Sequence, residues 1–124
     1  MAKASGNYQA VIPYLIVADA ANFIKFTKKV FDATEIRKVM KNENIIMHAE
    51  IEIGSSIIMF SDSTEKYSIQ TAGLFIYVTD ADETYKKALN AGASILTNLE
   101  DKEYGRSGGV IDPFGNSWWI TSAK

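Results

Sequence analysis

Ile111-Asp112-Pro113-Phe114-Gly115-Asn116-Ser117-Trp118-Trp119-Ile120 is the stretch that decides how this chain folds. Its pattern predicts a strand that ends at Ile111, a tight turn, and a second, aromatic strand. Proline fixes its own φ angle and glycine permits positive φ, so Pro113 and Gly115 supply the chemistry of a turn. An earlier stretch, Ile51-Glu52-Ile53-Gly54-Ser55-Ser56-Ile57-Ile58-Met59, has the same form. Gly54 and Gly115 therefore mark the same place in two copies of one unit.

The spacing of three separate features supports an internal duplication. The differences 78 − 17, 80 − 19 and 115 − 54 all equal 61, and they join the pairs Val17–Val78, Asp19–Asp80 and Gly54–Gly115. Short α+β chains often share aspartate N-caps and glycine turns, so coincidence is the alternative. A constant offset across three features favours duplication.

The first half is predicted to run strand, helix, then three strands. The residues over 11–17 are mostly β-branched or aromatic, and Pro13 cannot donate a ladder hydrogen bond, so we expect an edge strand there. Asp19 is a favoured N-cap, and apolar residues recur at helical spacing after it. We expect the three following strands over 34–40, 45–53 and 56–60, and a polar linker over 61–71.

The second half repeats this order. A strand is predicted over 74–78, and Asp80 with Glu83 forms a capping-box pattern that starts a helix. Gly92 is a natural residue just past the end of that helix. A strand over 93–99, a polar loop over 100–109 and the aromatic strand after Gly115 complete the chain.

Composition and charge limit the class of protein. With 124 residues, 47% of them hydrophobic and 23% charged, the chain suits one globular domain. A net charge of −2 without a basic run predicts no nucleic-acid partner. The absence of cysteine excludes disulfides and suits a reducing compartment. Residues 1–8 lack the apolar core of a signal peptide and the longest apolar run is too short for a bilayer, so we expect a cytoplasmic protein with no membrane partner.

The chain resembles the vicinal oxygen chelate superfamily of glyoxalase I, bleomycin-resistance proteins and extradiol dioxygenases, and within it the PhnB-like branch. The resemblance is carried by the residues over 11–19, by Met47-His48-Ala49-Glu50 with Ile53-Gly54, by 105–109 and by 112–118. It implies an α+β fold in which two βαβββ modules form curved mixed sheets around a cavity, with the helices outside. One domain would span 1–124, with a tail over 1–8 and modules at about 10–61 and 72–122. Members often form homodimers, some with exchanged modules, and we expect a homodimer here.

The resemblance also bears on metal binding. Metal-using members place His, Glu or Gln ligands on the first and fourth strand of each module. Here those positions fall at about Ile12, Met59, Leu74 and Ile120, whose side chains cannot bind a divalent cation. A shift of one residue offers no better donors. We therefore expect no metal and no cofactor.

His48 is the only histidine and the competing candidate for chemistry. In an extended strand it shares one face with Glu50 and Glu52. A histidine and a carboxylate on one face can bind a metal or act as an acid–base pair, which makes His48 and Glu50 the candidate catalytic residues. The alternative is a polar strand face turned to solvent or to a wet cavity.

Strand parity predicts which side chains would line the cavity that the resemblance implies. The inward positions are expected to be Ile12, Tyr14, Ile16, Ile57, Met59, Leu74, Ile76, Trp118 and Ile120. An apolar, aromatic-lined hollow of this kind suits a small organic ligand, whereas the alternative is ordinary core. The candidate ligand-binding residues are Tyr14, His48, Glu50, Met59, Leu74, Arg106 and Trp118.

Arg106 lies in a predicted glycine-containing loop over 104–109. Its guanidinium could bind a carboxylate or phosphate as a forked donor, or it could be an ordinary surface arginine. The sequence departs from relatives here, because an acidic residue before the arginine and a histidine after the Asp-Pro-Phe-Gly turn are both missing. Asn116 follows that turn instead.

Three functions remain open from the sequence. The favoured one is a metal-independent small-molecule-binding protein in the manner of bleomycin-resistance proteins, with an unknown ligand. The second is a metal-dependent lyase, isomerase or dioxygenase that uses His48 and Glu50 as ligands. The third is a metal-free enzyme with His48 as general base.

Overall fold

The computed structural model describes residues 8–124, which contain two helices and eight strands. The elements of the first half are β1 (Tyr14–Val17), α1 (Ala20–Phe31), β2 (Thr34–Met40), β3 (Ile46–Ile53) and β4 (Ser56–Asp62). Those of the second half are β5 (Gly73–Tyr77), α2 (Ala81–Asn90), β6 (Ser94–Lys102), β7 (Gly105–Ile111) and β8 (Ser117–Ala123). The predicted α+β fold of two βαβββ modules is confirmed.

The first sheet has the strand order β1-β4-β3-β2. β1 runs parallel to β4, and the other neighbours are antiparallel. β1 lies at the edge, as Pro13 predicts. α1 packs on one face, where the rings of Phe23 and Phe60 meet edge to face with centroids 4.8 Å apart. Both side chains are fully buried, so this face supplies the core of the first module.

Two carboxylates fix the start of α1. Asp19 is the N-cap that the sequence predicts, and its side chain accepts from the backbone N–H of Asn22 at 3.2 Å. The buried Asp62 carboxylate accepts from the N–H groups of Ala20 and Ile46, both at 2.7 Å. Asp62 therefore joins the first residue of α1 to the first residue of β3. It extends β4 two residues beyond the predicted end.

The second sheet has the order β5-β8-β7-β6, again with one parallel pair, β5 with β8. α2 begins after the predicted N-cap Asp80, which accepts from the Glu83 N–H at 3.1 Å. A Cβ added to Gly108 would lie 2.9 Å from the ring of Tyr85, which is too close. The missing side chain of Gly108 thus makes room for α2 to pack on this face of the sheet.

The turn between β7 and β8 is organised by Asp112, which is 3% exposed. Its carboxylate accepts from the N–H groups of Phe114 and Asn116, from the Asn116 side-chain amide and from the Trp118 indole, at 2.8–3.0 Å. Gly115 has φ +93°, the conformation that the sequence predicts for it. The Asp-Pro-Phe-Gly-Asn stretch is therefore a structural turn whose buried charge is satisfied by four donors.

The chain separates into two compact units. The first comprises the described residues up to 28 together with 32–70, and the second comprises 29–31 together with 71–124. Of the predicted tail over 1–8, residues 1–7 lie outside the described part of the chain. No helix within residues 8–124 has the length and apolar character needed to cross a membrane.

The predicted loop over 100–109 needs a correction. β6 continues to Lys102 and β7 begins at Gly105, so these residues form a hairpin rather than a long loop. Polar side chains suggested a loop because both faces of β6 are largely exposed, which removes the apolar alternation by which strands are recognised.

Candidate functional site

The face of the first sheet opposite α1 carries most of the predicted site residues. Tyr14 lies beside Met59 in the strand register, Met59 beside Glu50, and Glu50 beside Arg37. Neighbours in register project to the same side of a sheet, and His48 joins them because it is two residues from Glu50. We call Tyr14, His48, Glu50 and Met59 the polar face. The sequence prediction that His48 and Glu50 share one face is correct.

A chain of hydrogen bonds connects these side chains. The Tyr14 hydroxyl lies 3.0 Å from His48 Nδ1, and His48 Nε2 lies 2.7 Å from Glu50 Oε2. The Tyr14 and His48 rings are stacked, with centroids 5.6 Å apart. The Tyr8 hydroxyl donates to the other carboxylate oxygen, Glu50 Oε1. Both ring nitrogens of His48 and both oxygens of Glu50 are thus engaged.

Burial differs sharply along this chain. Glu50 is 2% exposed, whereas Tyr14 is 48% exposed. The His48 side chain is intermediate, at 24%. Glu50 is therefore the most buried member of this series of hydrogen bonds, and the ring of Tyr14 forms its accessible end.

The electrostatics keep Glu50 ionised. Burial alone acts to raise the pKa of Glu50, because a charge is poorly solvated there. The hydrogen bonds from Tyr8 and His48, with the electrostatic influence of His48 and Arg37, outweigh burial, so the pKa of Glu50 lies below its ordinary value. The hydrogen bond to Glu50 is the main reason that the pKa of Tyr8 is raised.

Residues just before β1 hold Tyr8 in place. The Gln9 side chain donates to the Ile57 carbonyl at 2.7 Å and accepts from the Ile57 N–H at 3.3 Å. The sequence assigned residue 8 to a loose tail, whereas the structure makes it a partner of Glu50. A tyrosine followed by a glutamine is an ordinary pattern, so no local signal in the sequence could have indicated this contact.

The polar face offers few ligands for a metal. Within residues 8–124 there is no group of three or more His, Asp or Glu side chains placed to hold an ion. His48 and Glu50 bind each other, and Tyr14 covers the remaining imidazole nitrogen. A hard or borderline cation needs several oxygen or nitrogen donors directed at one point.

Arg106 lies in β7 rather than in a loop. Its Nε donates to Asp82 at 2.7 Å and its Nη1 donates to Asp101 at 3.2 Å. Both carboxylates raise the pKa of Arg106, the Asp82 hydrogen bond most strongly. The forked donor that the sequence predicted for a ligand is therefore occupied by the protein's own carboxylates.

The side chains that the second sheet exposes differ from those that strand parity predicted to line a ligand cavity. Parity placed Leu74, Ile76, Trp118 and Ile120 toward a ligand, but Trp118 and Ile120 are fully buried and the Trp118 indole binds Asp112. Leu74 is half-buried and lies beside Trp118 in the strand register. The exposed positions belong to Phe75, Tyr77 and Trp119, which we call the aromatic face.

The place of Trp119 in the aromatic face follows from a shift of one residue in strand pairing, whereas Phe75 keeps the offset of 61 from Tyr14. Tyr14 pairs with Met59, a separation of 45, whereas Phe75 pairs with Trp119, a separation of 44. A slip of one residue turns a strand's side chains to the other face. The offset of 61 therefore holds for the turns and caps but not for the register of β8.

Comparison with known proteins identifies a family whose profile matches most of the chain. The profile of the Glyoxalase/Bleomycin resistance protein/Dioxygenase superfamily matches residues 9–120. An uncharacterized protein of Mycobacterium bovis, Mb0911c, is 37% identical over 121 residues, which cover 88% of this chain and 80% of that protein.

Two solved structures show the same fold at low sequence identity. TioX from Micromonospora sp. ML1 has a TM-score of 0.73 and 24% identity, and the match covers 94% of this chain and 97% of TioX. A PhnB protein from Bacillus cereus has a TM-score of 0.72 and 19% identity, and the match covers 93% of this chain and 100% of the PhnB protein. Because the superfamily profile spans nearly all of the sequence, this chain belongs to the Glyoxalase/Bleomycin resistance protein/Dioxygenase superfamily.

Proposed function

We propose that the protein binds a small organic ligand, without a metal, at the polar face of the first sheet. The observation that carries the proposal is the hydrogen-bonded chain from Tyr8 through Glu50 and His48 to Tyr14. A buried carboxylate with both oxygens satisfied holds the imidazole in one orientation, and the imidazole in turn holds the half-exposed Tyr14. An ordered aromatic ring with a fixed hydroxyl, beside the partly exposed Met59, is a suitable anchor for an amphipathic molecule.

The same contacts argue against a metal at this face. A histidine that binds an ion presents an unprotonated ring nitrogen to it. His48 Nε2 faces an ionised carboxylate and Nδ1 faces the Tyr14 hydroxyl, so either nitrogen would have to leave its partner first. Freeing Nε2 would uncover the charge of Glu50, which is costly for a buried group, and freeing Nδ1 would break the contact with Tyr14.

The finer family assignment is part of the proposal. The PhnB-like branch is supported by the motif stretches in the sequence and by the fold that the chain shares with the Bacillus cereus PhnB protein. We also propose a cytoplasmic homodimer, because the chain lacks cysteine and many superfamily members are dimers. Light scattering of the purified protein tests the dimer directly, and a monomer would reject it.

A thermal-shift screen of aromatic and amphipathic compounds tests ligand binding. A ligand that binds only the native state raises the melting temperature by an amount that grows with the logarithm of its concentration relative to Kd. We expect at least one compound class to stabilise the wild type and to lose most of that effect in Tyr14→Phe. EDTA should leave the stabilisation unchanged. A stabilisation that disappears with EDTA and returns with Ni²⁺, Zn²⁺, Mn²⁺ or Fe²⁺ would favour the metal-dependent alternative.

Tyr67→Phe is the matched control. Tyr67 is 55% exposed, close to the 48% of Tyr14, and belongs to the same unit, but it lies in the segment after β4. Its loss of a hydroxyl should leave every ligand effect intact. Equal losses in the two variants would show that binding does not involve the polar face.

Metal-free proton transfer is a second function that the hydrogen-bonded chain favours. A ligand hydroxyl could pass its proton to the Tyr14 oxygen while Tyr14 passes its own to His48 Nδ1, and Glu50 would stabilise the resulting imidazolium. Mass spectrometry of stabilising compounds after incubation with the protein tests this function. Turnover that is lost in His48→Ala, with the circular dichroism spectrum unchanged, would support it.

A further inference from the structure

We infer that the polar face selects ligands that donate a hydrogen bond, such as alcohols and phenols, over ethers and carboxylates of the same shape. This inference rests on the proposed function and specifies the chemistry of its ligand. It follows from the direction of each hydrogen bond in the chain that ends at Tyr14.

The first step concerns Glu50. Its Oε1 accepts from the Tyr8 hydroxyl, and its Oε2 lies 2.7 Å from His48 Nε2. An ionised carboxylate has only acceptors, so the proton in the second contact must belong to the imidazole. His48 Nε2 is therefore the protonated nitrogen.

The second step concerns His48. A neutral imidazole carries one proton, so with Nε2 protonated its Nδ1 is an acceptor. The group that faces Nδ1 at 3.0 Å is the Tyr14 hydroxyl, which must then donate. The tyrosine proton is thus directed into the protein.

The third step concerns what remains for a ligand. With its proton committed to His48, the Tyr14 oxygen presents lone pairs only. An ether oxygen finds no donor there, and a carboxylate would set its own lone pairs against those of Tyr14. An alcohol or phenol can donate to the same oxygen and form a complete hydrogen bond.

The negative charges near Tyr14 also disfavour an anionic ligand, and one nearby positive charge opposes them. Glu50 is buried and ionised, and Glu52 follows on the same face of β3, so both repel a carboxylate. Arg37 lies beside Glu50 in the register and is the opposing cation. The hydrogen bond to Glu50 raises the pKa of Tyr8 overall, whereas the charge of Arg37 acts to lower the pKa values of both Tyr8 and Glu50.

The protonation pattern can be tested before any ligand is known. His48 is the only histidine in the sequence, so nitrogen NMR of its ring gives a single set of signals. At pH 8 we expect one proton on the ring, held at Nε2 toward Glu50, and none at Nδ1 toward Tyr14. A proton on Nδ1 would overturn the inference, because Tyr14 would then accept from His48 and be free to donate.

Three probes that share one phenyl ring and differ in their oxygen group test the selection. Benzyl alcohol, benzyl methyl ether and benzoate are titrated separately into the ¹⁵N-labelled protein at pH 8, and the amide shifts of His48, Glu50 and Met59 are followed. We expect the alcohol to bind about three- to ten-fold more tightly than the ether, as one hydrogen bond allows, and benzoate to bind most weakly.

The two tyrosine variants complete the experiment. In Tyr14→Phe the alcohol and the ether should bind alike, whereas Tyr67→Phe should keep the wild-type preference. If the probes bind at these amides but the ether or benzoate equals the alcohol, the inference fails and the binding site stands. If none of the three probes shifts these amides, the site fails, and the proposed function fails with it.

Discussion

The polar face of the first sheet and the aromatic face of the second occupy matching places in the two modules, yet they carry opposite chemistry. Tyr14 and Phe75 are 61 residues apart and lie on the first strand of their modules. Tyr14 lies beside Met59 of β4, and Phe75 lies beside Trp119 of β8. The polar face holds a buried carboxylate in a chain of hydrogen bonds. The aromatic face exposes Phe75 at 51% and Tyr77 at 64%.

The difference shows where a duplicated fold can change. The turns, the helix caps and the helix-bearing faces have kept the same roles in both modules, because each supports burial of the core. The opposite faces contribute less to that burial, so one can hold a histidine and a glutamate and the other can hold exposed aromatic rings. Phe75 packs edge to face against Tyr77 with centroids 5.2 Å apart, and it lacks the hydroxyl on which the Tyr14 contact depends.

The largest effect should separate two adjacent tryptophans. Trp118 is 1% exposed and Trp119 is 37% exposed. Trp118→Ala should lower the free energy of unfolding by about 3–5 kcal/mol, the usual cost of removing a large buried aromatic side chain. Trp119→Ala should cost no more than about 1 kcal/mol, because its ring belongs to an exposed face. Urea unfolding of both variants measures the contrast, and equal losses would show that the assigned faces of β8 are wrong.

A smaller effect concerns acid and the polar face. The pKa of Glu50 is lower in the folded protein than its ordinary value of 4.5, so the folded state favours the ionised form. This contribution is fully present above pH 4.5 and is lost as the pH falls through the folded pKa. In Glu50→Gln the group no longer titrates, so the free energy of unfolding should fall less steeply in that range. Chemical unfolding between pH 6 and 3 measures both curves, and parallel curves would contradict the pKa shift.

The smallest effect is expected at Arg106, one of the predicted ligand-binding residues of the second module. The Arg106 side chain is 38% exposed, and its partners Asp82 and Asp101 are more exposed still. Arg106→Gln should lower the free energy of unfolding only slightly, because exposed ion pairs contribute little, and high salt should reduce even that. It should leave the thermal-shift response to ligands unchanged. A lost response would restore Arg106 as a ligand-binding residue.

Much of the fold was accessible from the sequence because its signals are local. Asp19, Asp80 and Gly92 mark helix ends by their own side-chain and backbone chemistry, and the structure confirms all three. The pair of His48 and Glu50 on one face followed from the period of a strand. These features need no knowledge of distant contacts.

The remaining features depend on contacts that local patterns do not encode. Trp118 and Trp119 are both large and aromatic, so the sequence could not show which one faces the core, and the register of β8 decided it. The Tyr8 contact joins residues 42 positions apart in sequence. The partners of Arg106 come from α2 and β6, which the sequence could place only as separate elements.

Asp62 has a consequence for the order in which the first module is completed during synthesis. The carboxylate that engages the opening residues of α1 and β3 comes from the far end of β4, 42 and 16 positions later. A nascent chain that has emerged only as far as β3 has both of those amide groups without their acceptor. The helix can form early, but its first turn can lock against the sheet only when the last strand of that module has left the ribosome.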